Sequence, residues 1–164
     1  MASILDRADF VNKFEIHTMG ANDTKLQSYI DRYEVDYLVD LFGVELYELF
    51  IANPNDVIYS RLLDPILFQT NCGKIYNSKG IKDMLLGFVF FEFQRDSRVQ
   101  QTINSAVKIR SNVSERADVL SMNLYGRFNE SIETYKAIQE YLQENSTDYP
   151  TFMGVDRGYI YTSY

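Results

Sequence analysis

The fold turns on one stretch, Gly80-Ile81-Lys82-Asp83-Met84-Leu85-Leu86-Gly87-Phe88-Val89-Phe90-Phe91-Glu92-Phe93. At helical spacing it is apolar on nearly every side, and such a helix needs neighbours to cover it. A helix over 79–96 at the centre of a bundle is therefore predicted. Gly87 inside it costs up to about 1 kcal/mol against alanine in an open helix, so another backbone is expected to pack closely there. The apolar core of the stretch, 84–91, falls far short of the ~20 residues that span a bilayer, and no membrane contact is expected.

Working outward, the flanking periodic segments supply the cover. Over 23–42, Leu26, Tyr29, Ile30, Tyr33, Tyr37, Leu38 and Leu41 recur at three- and four-residue steps, which predicts an amphipathic helix. Asn22 or Asp23 caps its start, and Gly43 ends it in a left-handed conformation. A short helix over 44–52 turns Leu46, Leu49 and Phe50 inward, and Asn53-Pro54-Asn55 makes a turn. A weaker helical turn over 57–63 leads through Asp64-Pro65 into a loop at Asn71-Cys72-Gly73. Towards the C-terminus, Val113, Ala117, Leu120, Leu124, Phe128, Ile132, Tyr135, Ile138 and Leu142 form one stripe over 113–145. A helix of that length spans ~48 Å, so either one end projects or Gly126 breaks it in two.

Two stretches read as non-helical. Val107 and Ile109 alternate with Lys108 and Arg110 after an Asn104-Ser105 turn, which predicts a short β-hairpin or extended loop near 101–111. The tail over 148–164 holds Pro150, Gly154 and Gly158 among Tyr149, Phe152, Tyr159, Ile160, Tyr161 and Tyr164. It is too aromatic for a solvated terminus, and either folds back on its own domain or docks on a neighbouring chain. The expected architecture is all-α: a small bundle of four or five helices with a long C-terminal helix in a domain 1–147, followed by an extended tail 148–164.

The chain has 164 residues, suited to one domain that buries roughly 70% of the surface its unfolded form exposes. Sixteen basic against twenty-three acidic side chains give −7, which opposes whole-surface attraction to nucleic acid or anionic membrane. Residues 1–10 hold Asp6 and Asp9 and no apolar run of signal-peptide length, so a soluble protein made in a cytosol is expected. With Cys72 as the only cysteine and His17 as the only histidine, neither a disulfide nor a zinc site is expected. Nothing around either residue resembles a catalytic signature, and there is no Gly-rich phosphate loop. No catalytic residue, metal or cofactor is therefore assigned. Asp31, Glu34, Asp36, Asp40, Glu45 and Glu48 read as a solvated acidic face. In contrast, 97–114 holds Arg98, Lys108 and Arg110 and no acid. The residues singled out for protein contacts are Arg98, Lys108, Ile109 and Arg110 in that window, and Tyr149, Phe152, Tyr159, Tyr161 and Tyr164 in the tail.

The order of segments in the first third carries a resemblance. Ala8-Asp9-Phe10-Val11-Asn12-Lys13-Phe14 leads through a variable loop to Leu26-Gln27-Ser28-Tyr29-Ile30-Asp31. Tyr37-Leu38-Val39-Asp40-Leu41-Phe42-Gly43 follows, then Glu45-Leu46-Tyr47-Glu48-Leu49-Phe50. This resembles the head–tail connector (portal adaptor) proteins of tailed bacteriophages, especially the Bacteroides-phage and crAss-like type. Phe42 stands where that pattern has the second leucine of a Leu-Leu-Gly step, and the tail after Asp148 lies outside it. The resemblance implies a structural virion protein in the neck, at the head–tail junction, that assembles in host cytoplasm. It implies a homo-oligomeric ring, usually a dodecamer, that docks beneath the portal protein and joins it to further neck or tail ring proteins. Such a ring lines the DNA channel, with passing contact to genomic DNA. Rings need heterologous contacts, and the acidic first helix against the basic 97–114 window is a candidate pair. The second reading is a non-virion acidic helical protein that binds or regulates a host or phage partner.

Overall fold

Helices formed by these periodic segments cover one another. The computed structural model describes residues 3–16, 21–104 and 111–160. In chain order it holds α1 (Ala21–Phe42), α2 (Val44–Ala52), α3 (Val57–Ser60), β1 (Ile66–Gln69), β2 (Ile75–Ser78), α4 (Gly80–Asn104) and α5 (Ser111–Glu144). Among the described residues the structure is mostly helical, at 64%, with five α-helices and a small antiparallel hairpin.

The centre of the bundle is α4, where Ile81, Met84, Leu85, Phe88 and Val89 have no exposed surface. Ser78 starts it by accepting the Gly80 N–H at 3.1 Å, which satisfies one of the donors that a helix N-terminus leaves unpaired. α5 lies antiparallel on α4: Phe91 and Phe128 rings are 4.6 Å apart, and Phe88 meets both Phe128 and Tyr135. The close approach at Gly87 is made by side chains and not by the expected backbone: Ser131 Oγ of α5 would lie 1.9 Å from an added Cβ, and Phe14 Cε1 3.4 Å from it. Helix α5 runs unbroken through Gly126, so its 34 residues span roughly 51 Å.

α1 packs antiparallel on the other side of α4, with Tyr37 stacked on Phe88 at 4.1 Å and Tyr29 edge-on to Phe93 at 5.4 Å. α2 folds back at Gly43 and buries Leu46 and Phe50. Ahead of α1, 3–16 makes two 3₁₀ turns, the first closed by a reciprocal Asp6–Asp9 capping box. This segment buries Leu5, Phe10, Phe14 and Ile16, and ion pairs Lys82–Asp9 (2.8 Å) and Lys13–Asp83 (3.1 Å) fasten it to α4.

Two segments take a different secondary structure from the one expected. The hairpin lies at 66–78, where a loop was expected, with Phe68 opposite Tyr76 and Gln69 opposite Ile75. Phe68 and Tyr76 stack at 5.4 Å, and Phe68 meets the Tyr141 ring of α5 at 5.2 Å, so the strands hold by packing on a helix. At 101–111, where a hairpin or extended loop was expected, α4 continues to Asn104 and α5 begins at Ser111. Extending an existing helix gains a hydrogen bond for each residue fixed, and no Gly or Pro between Asp96 and Asn104 stops it. Residues 105–110 lie outside the described residues.

Candidate interface at the elbow between α1 and α2

An α-helix leaves its last four carbonyls without intrahelical donors. At the end of α1 all four find partners. Gly43 N–H donates to Val39 O (2.8 Å), Val155 N–H to Asp40 O (2.7 Å) and Met153 N–H to Phe42 O (3.0 Å). Gln139 Nε2 of α5 reaches Leu41 O at 3.4 Å. The C-terminal tail is thus the cap of the first helix. Glycine makes the approach possible at both sides of the contact. Gly43 sits at φ 80°, ψ 160°, a region essentially reserved for glycine, rather than in the left-handed helical region expected for it. An added Cβ on Gly154 would lie 2.1 Å from Leu41 O.

The rest of the described tail, as far as Ile160, is bound as firmly. Tyr149, 2% exposed, donates its hydroxyl to Ile58 O at 2.7 Å. Tyr135 and Gln139 of α5 donate to Val155 O. Arg157 pairs with Asp40 and lies over the Tyr37 ring at 4.3 Å. Asn129 exchanges two hydrogen bonds with the Ile160 backbone, at 2.8 and 2.9 Å. Of the tail residues singled out for contact with a neighbour, Tyr149 is therefore spent inside its own domain. Phe152 and Tyr159 are half-buried against the same core. Arg98 falls on α4. Lys108, Ile109, Arg110, Tyr161, Tyr164 and His17 lie outside the described residues.

The strap leaves an open cleft of about 390 Å³ at the elbow, lined by Val39, Val44, Met153 and Val155, with Asp40 and Glu45 at its rim. Val44 is 63% exposed, Met153 80% and Val155 57%, so three large apolar side chains converge here in water. Nothing in the sequence marked these residues as a set; only the return of the tail brings Met153 and Val155 beside Val44. Of the two carboxylates beside them, Glu45 is exposed, whereas Asp40 is paired with Arg157 of the tail.

The expected acidic face is only partly solvated. Asp31, Asp36, Glu45 and Glu48 are exposed, whereas Glu34 is buried. Its carboxylate accepts from Ser3 Oγ (2.7 Å), Ile4 N (2.9 Å) and Leu5 N (3.1 Å), which ties the entry segment to α1. Between α1 and α4, Tyr37 donates to Glu92 at 3.0 Å and Tyr29 to Asp96 at 2.7 Å, with the Arg95 guanidinium against both carboxylates. Burial, reinforced by the bond to Asp96, pushes the Tyr29 hydroxyl up to about 12. The same bond holds the Asp96 carboxyl below its usual range. Such tyrosines stay protonated near neutrality and act as fixed donors, a structural tie between two helices.

Cys72 is exposed in the hairpin turn, its thiol lowered by the Thr70 hydroxyl 3.1 Å away. Among the described residues no group of three or more His, Cys, Asp or Glu side chains is placed to hold a metal ion. Among them, too, no helix is long and apolar enough to cross a membrane. Compared with protein-family models, with curated proteins and with solved structures, the chain finds no match.

Proposed function

We propose that this chain is a structural subunit of a phage neck: a head–tail connector that forms a ring beneath the portal and joins it to the next neck component. It has no catalytic role in this reading. The observation that carries the proposal is the agreement between the resembling segments and the structural units. The entry segment ends in Phe10 and Phe14, both buried; α1 ends at Gly43; and the Glu45-Leu46-Tyr47 helix starts at once. A second support is the exposed apolar cleft at that junction, since contiguous apolar surface in a soluble chain marks a contact site.

Quantitative mass spectrometry of purified particles, scaled to the portal protein, tests the proposal. A ratio near parity with the portal is expected for a matching ring. Absence from clean particles refutes the connector and leaves the non-virion binding protein, for which the same apolar cleft is the contact surface.

A further inference from the structure

We propose that the elbow cleft receives the β-hairpin of a second copy of this chain, with Leu67 and Ile75 set against Val44, Met153 and Val155, and Lys74 beside Glu45. The contact rests on the ring reading and names the pair of surfaces that builds it.

Strand alternation makes the donor surface. Phe68 and Tyr76 turn towards α5, so their neighbours along each strand turn away from it. Leu67 stands opposite Asn77 and Ile75 opposite Gln69, which sets the two apolar side chains diagonally on one outward face. They are 73% and 67% exposed. The segment 65–79 holds two lysines and no acid. Lys79 is paired with Glu130, whereas the exposed Lys74 lies over the Tyr76 ring at 4.5 Å, with Glu140 beyond ion-pair distance. On the acceptor side Arg157 takes up Asp40, which leaves the exposed Glu45 carboxylate beside the three exposed apolar side chains. Among the described residues neither Lys74 nor Glu45 has an opposite charge within ion-pair distance. Apolar contact supplies the area, and this lysine against this carboxylate fixes the direction in which the hairpin lies.

The hairpin cannot fill the cleft of its own molecule. Gln139 of α5 donates to Leu41 O and Val155 O at the elbow, while the Tyr141 ring meets Phe68 of the hairpin. Two residues apart on one helix, they point about 200° apart around its axis and stand only about 3 Å apart along it. Hairpin and elbow therefore lie on opposite flanks of α5 at nearly one level, with the helix between them. A contact between them on successive copies is heterologous. It adds each copy sideways with little rise along α5, which favours closure into a ring over growth of a filament.

Cys72, exposed in the hairpin turn and the only cysteine of the chain, supplies the test. Two single-thiol, full-length proteins are mixed with a short bismaleimide cross-linker: the parent chain, and an isotope-labelled chain carrying Val44→Cys with Cys72→Ser. Mass spectrometry then counts mixed and self-paired products. Links between position 72 of one chain and position 44 of the other are expected to exceed both self-paired products by at least about tenfold. Leu67→Glu in the parent chain is expected to remove that excess. Because Leu67 is 73% exposed, the substitution should leave the melting temperature unchanged, and circular dichroism checks this. Lys74→Glu in the parent chain should also remove the excess, and Glu45→Lys in the labelled chain should restore it. No mixed excess, or an excess indifferent to Leu67→Glu, overturns the contact. A loss with Lys74→Glu that Glu45→Lys does not restore overturns the charge pair. Cross-linking needs no particle. Mixed links in a chain absent from particles fail the neck assignment alone, and a chain present in particles without mixed links fails this contact alone.

Discussion

Replacing Gly154 with alanine tests whether the tail is an integral cap of the first helix. The added Cβ would lie 2.1 Å from Leu41 O, 2.6 Å from Gln139 Nε2 and 2.8 Å from Phe152 Cε2. The side-chain atoms can move, but Leu41 O belongs to the last turn of α1 and is fixed by the helix, so the tail must lift. Lifting breaks Met153 N–H to Phe42 O and Val155 N–H to Asp40 O, and loosens the bonds from Tyr135 and Gln139 to Val155 O. Each bond contributes about 1 kcal/mol net, and shielded groups left unpaired cost about 1–3 kcal/mol. Partial access to water at the elbow and the smaller unfolded-state entropy of alanine offset some of this, leaving a loss of about 2–4 kcal/mol. For a chain of this size that lowers Tm by roughly 5–15 °C. Urea unfolding followed by circular dichroism measures the loss, and hydrogen exchange at the Met153 and Val155 amides locates it. Two controls separate clash from glycine replacement as such. Gly158→Ala meets nothing within 4 Å and is expected within about 0.5 kcal/mol of the parent. Gly126→Ala, also in open space but inside α5, is expected to stabilise by about 0.5–1 kcal/mol. If Gly154→Ala matches the parent within about 0.5 kcal/mol and keeps both amides protected, the capping account is wrong.

Two further outcomes follow from the packing of α4. Gly87→Ala drives a methyl into Ser131 Oγ and is expected to cost about 1–3 kcal/mol. Adding Ser131→Ala removes the 1.9 Å contact and leaves one at 3.2 Å, so the pair should recover most of the loss; strictly additive effects in a double-mutant cycle refute the contact. The Tyr29–Asp96 bond predicts pH dependence on both sides of neutrality. Tyr29 is raised from 10.0 to about 12, so its contribution is complete below pH 10 and fades as pH rises towards 12. Asp96 is lowered from 3.8, so its contribution is present above that value and fades as pH falls through the lower folded one. Tyr29→Phe is therefore expected to flatten the urea midpoint against pH in both windows, and unchanged slopes refute the linkage.

Most helices could be read from spacing alone. Leu26, Ile30, Leu38 and Leu41 recur at helical intervals, Gly43 and Pro54 punctuate them, and α1 and α2 end where those residues stand. The span of α4 was less legible, because its second half carries no apolar stripe and is helical by continuation. The hairpin escaped notice because its strands are four residues long and the Ile66-Leu67-Phe68 run does not alternate; its apolar side is defined by Tyr141 of a distant helix. Glu34 had the spacing of a solvated carboxylate, and what buries it are backbone donors of residues 4 and 5 arriving from outside its helix. The candidate cleft depended on the same kind of distant arrival. Local periodicity determined which residues form helices, since each helical hydrogen bond joins residues four apart. Only the tertiary structure decided which segment satisfies the end of α1, since those carbonyls accept any donor brought close, and the tail that brings it carries Met153 and Val155 to Val44.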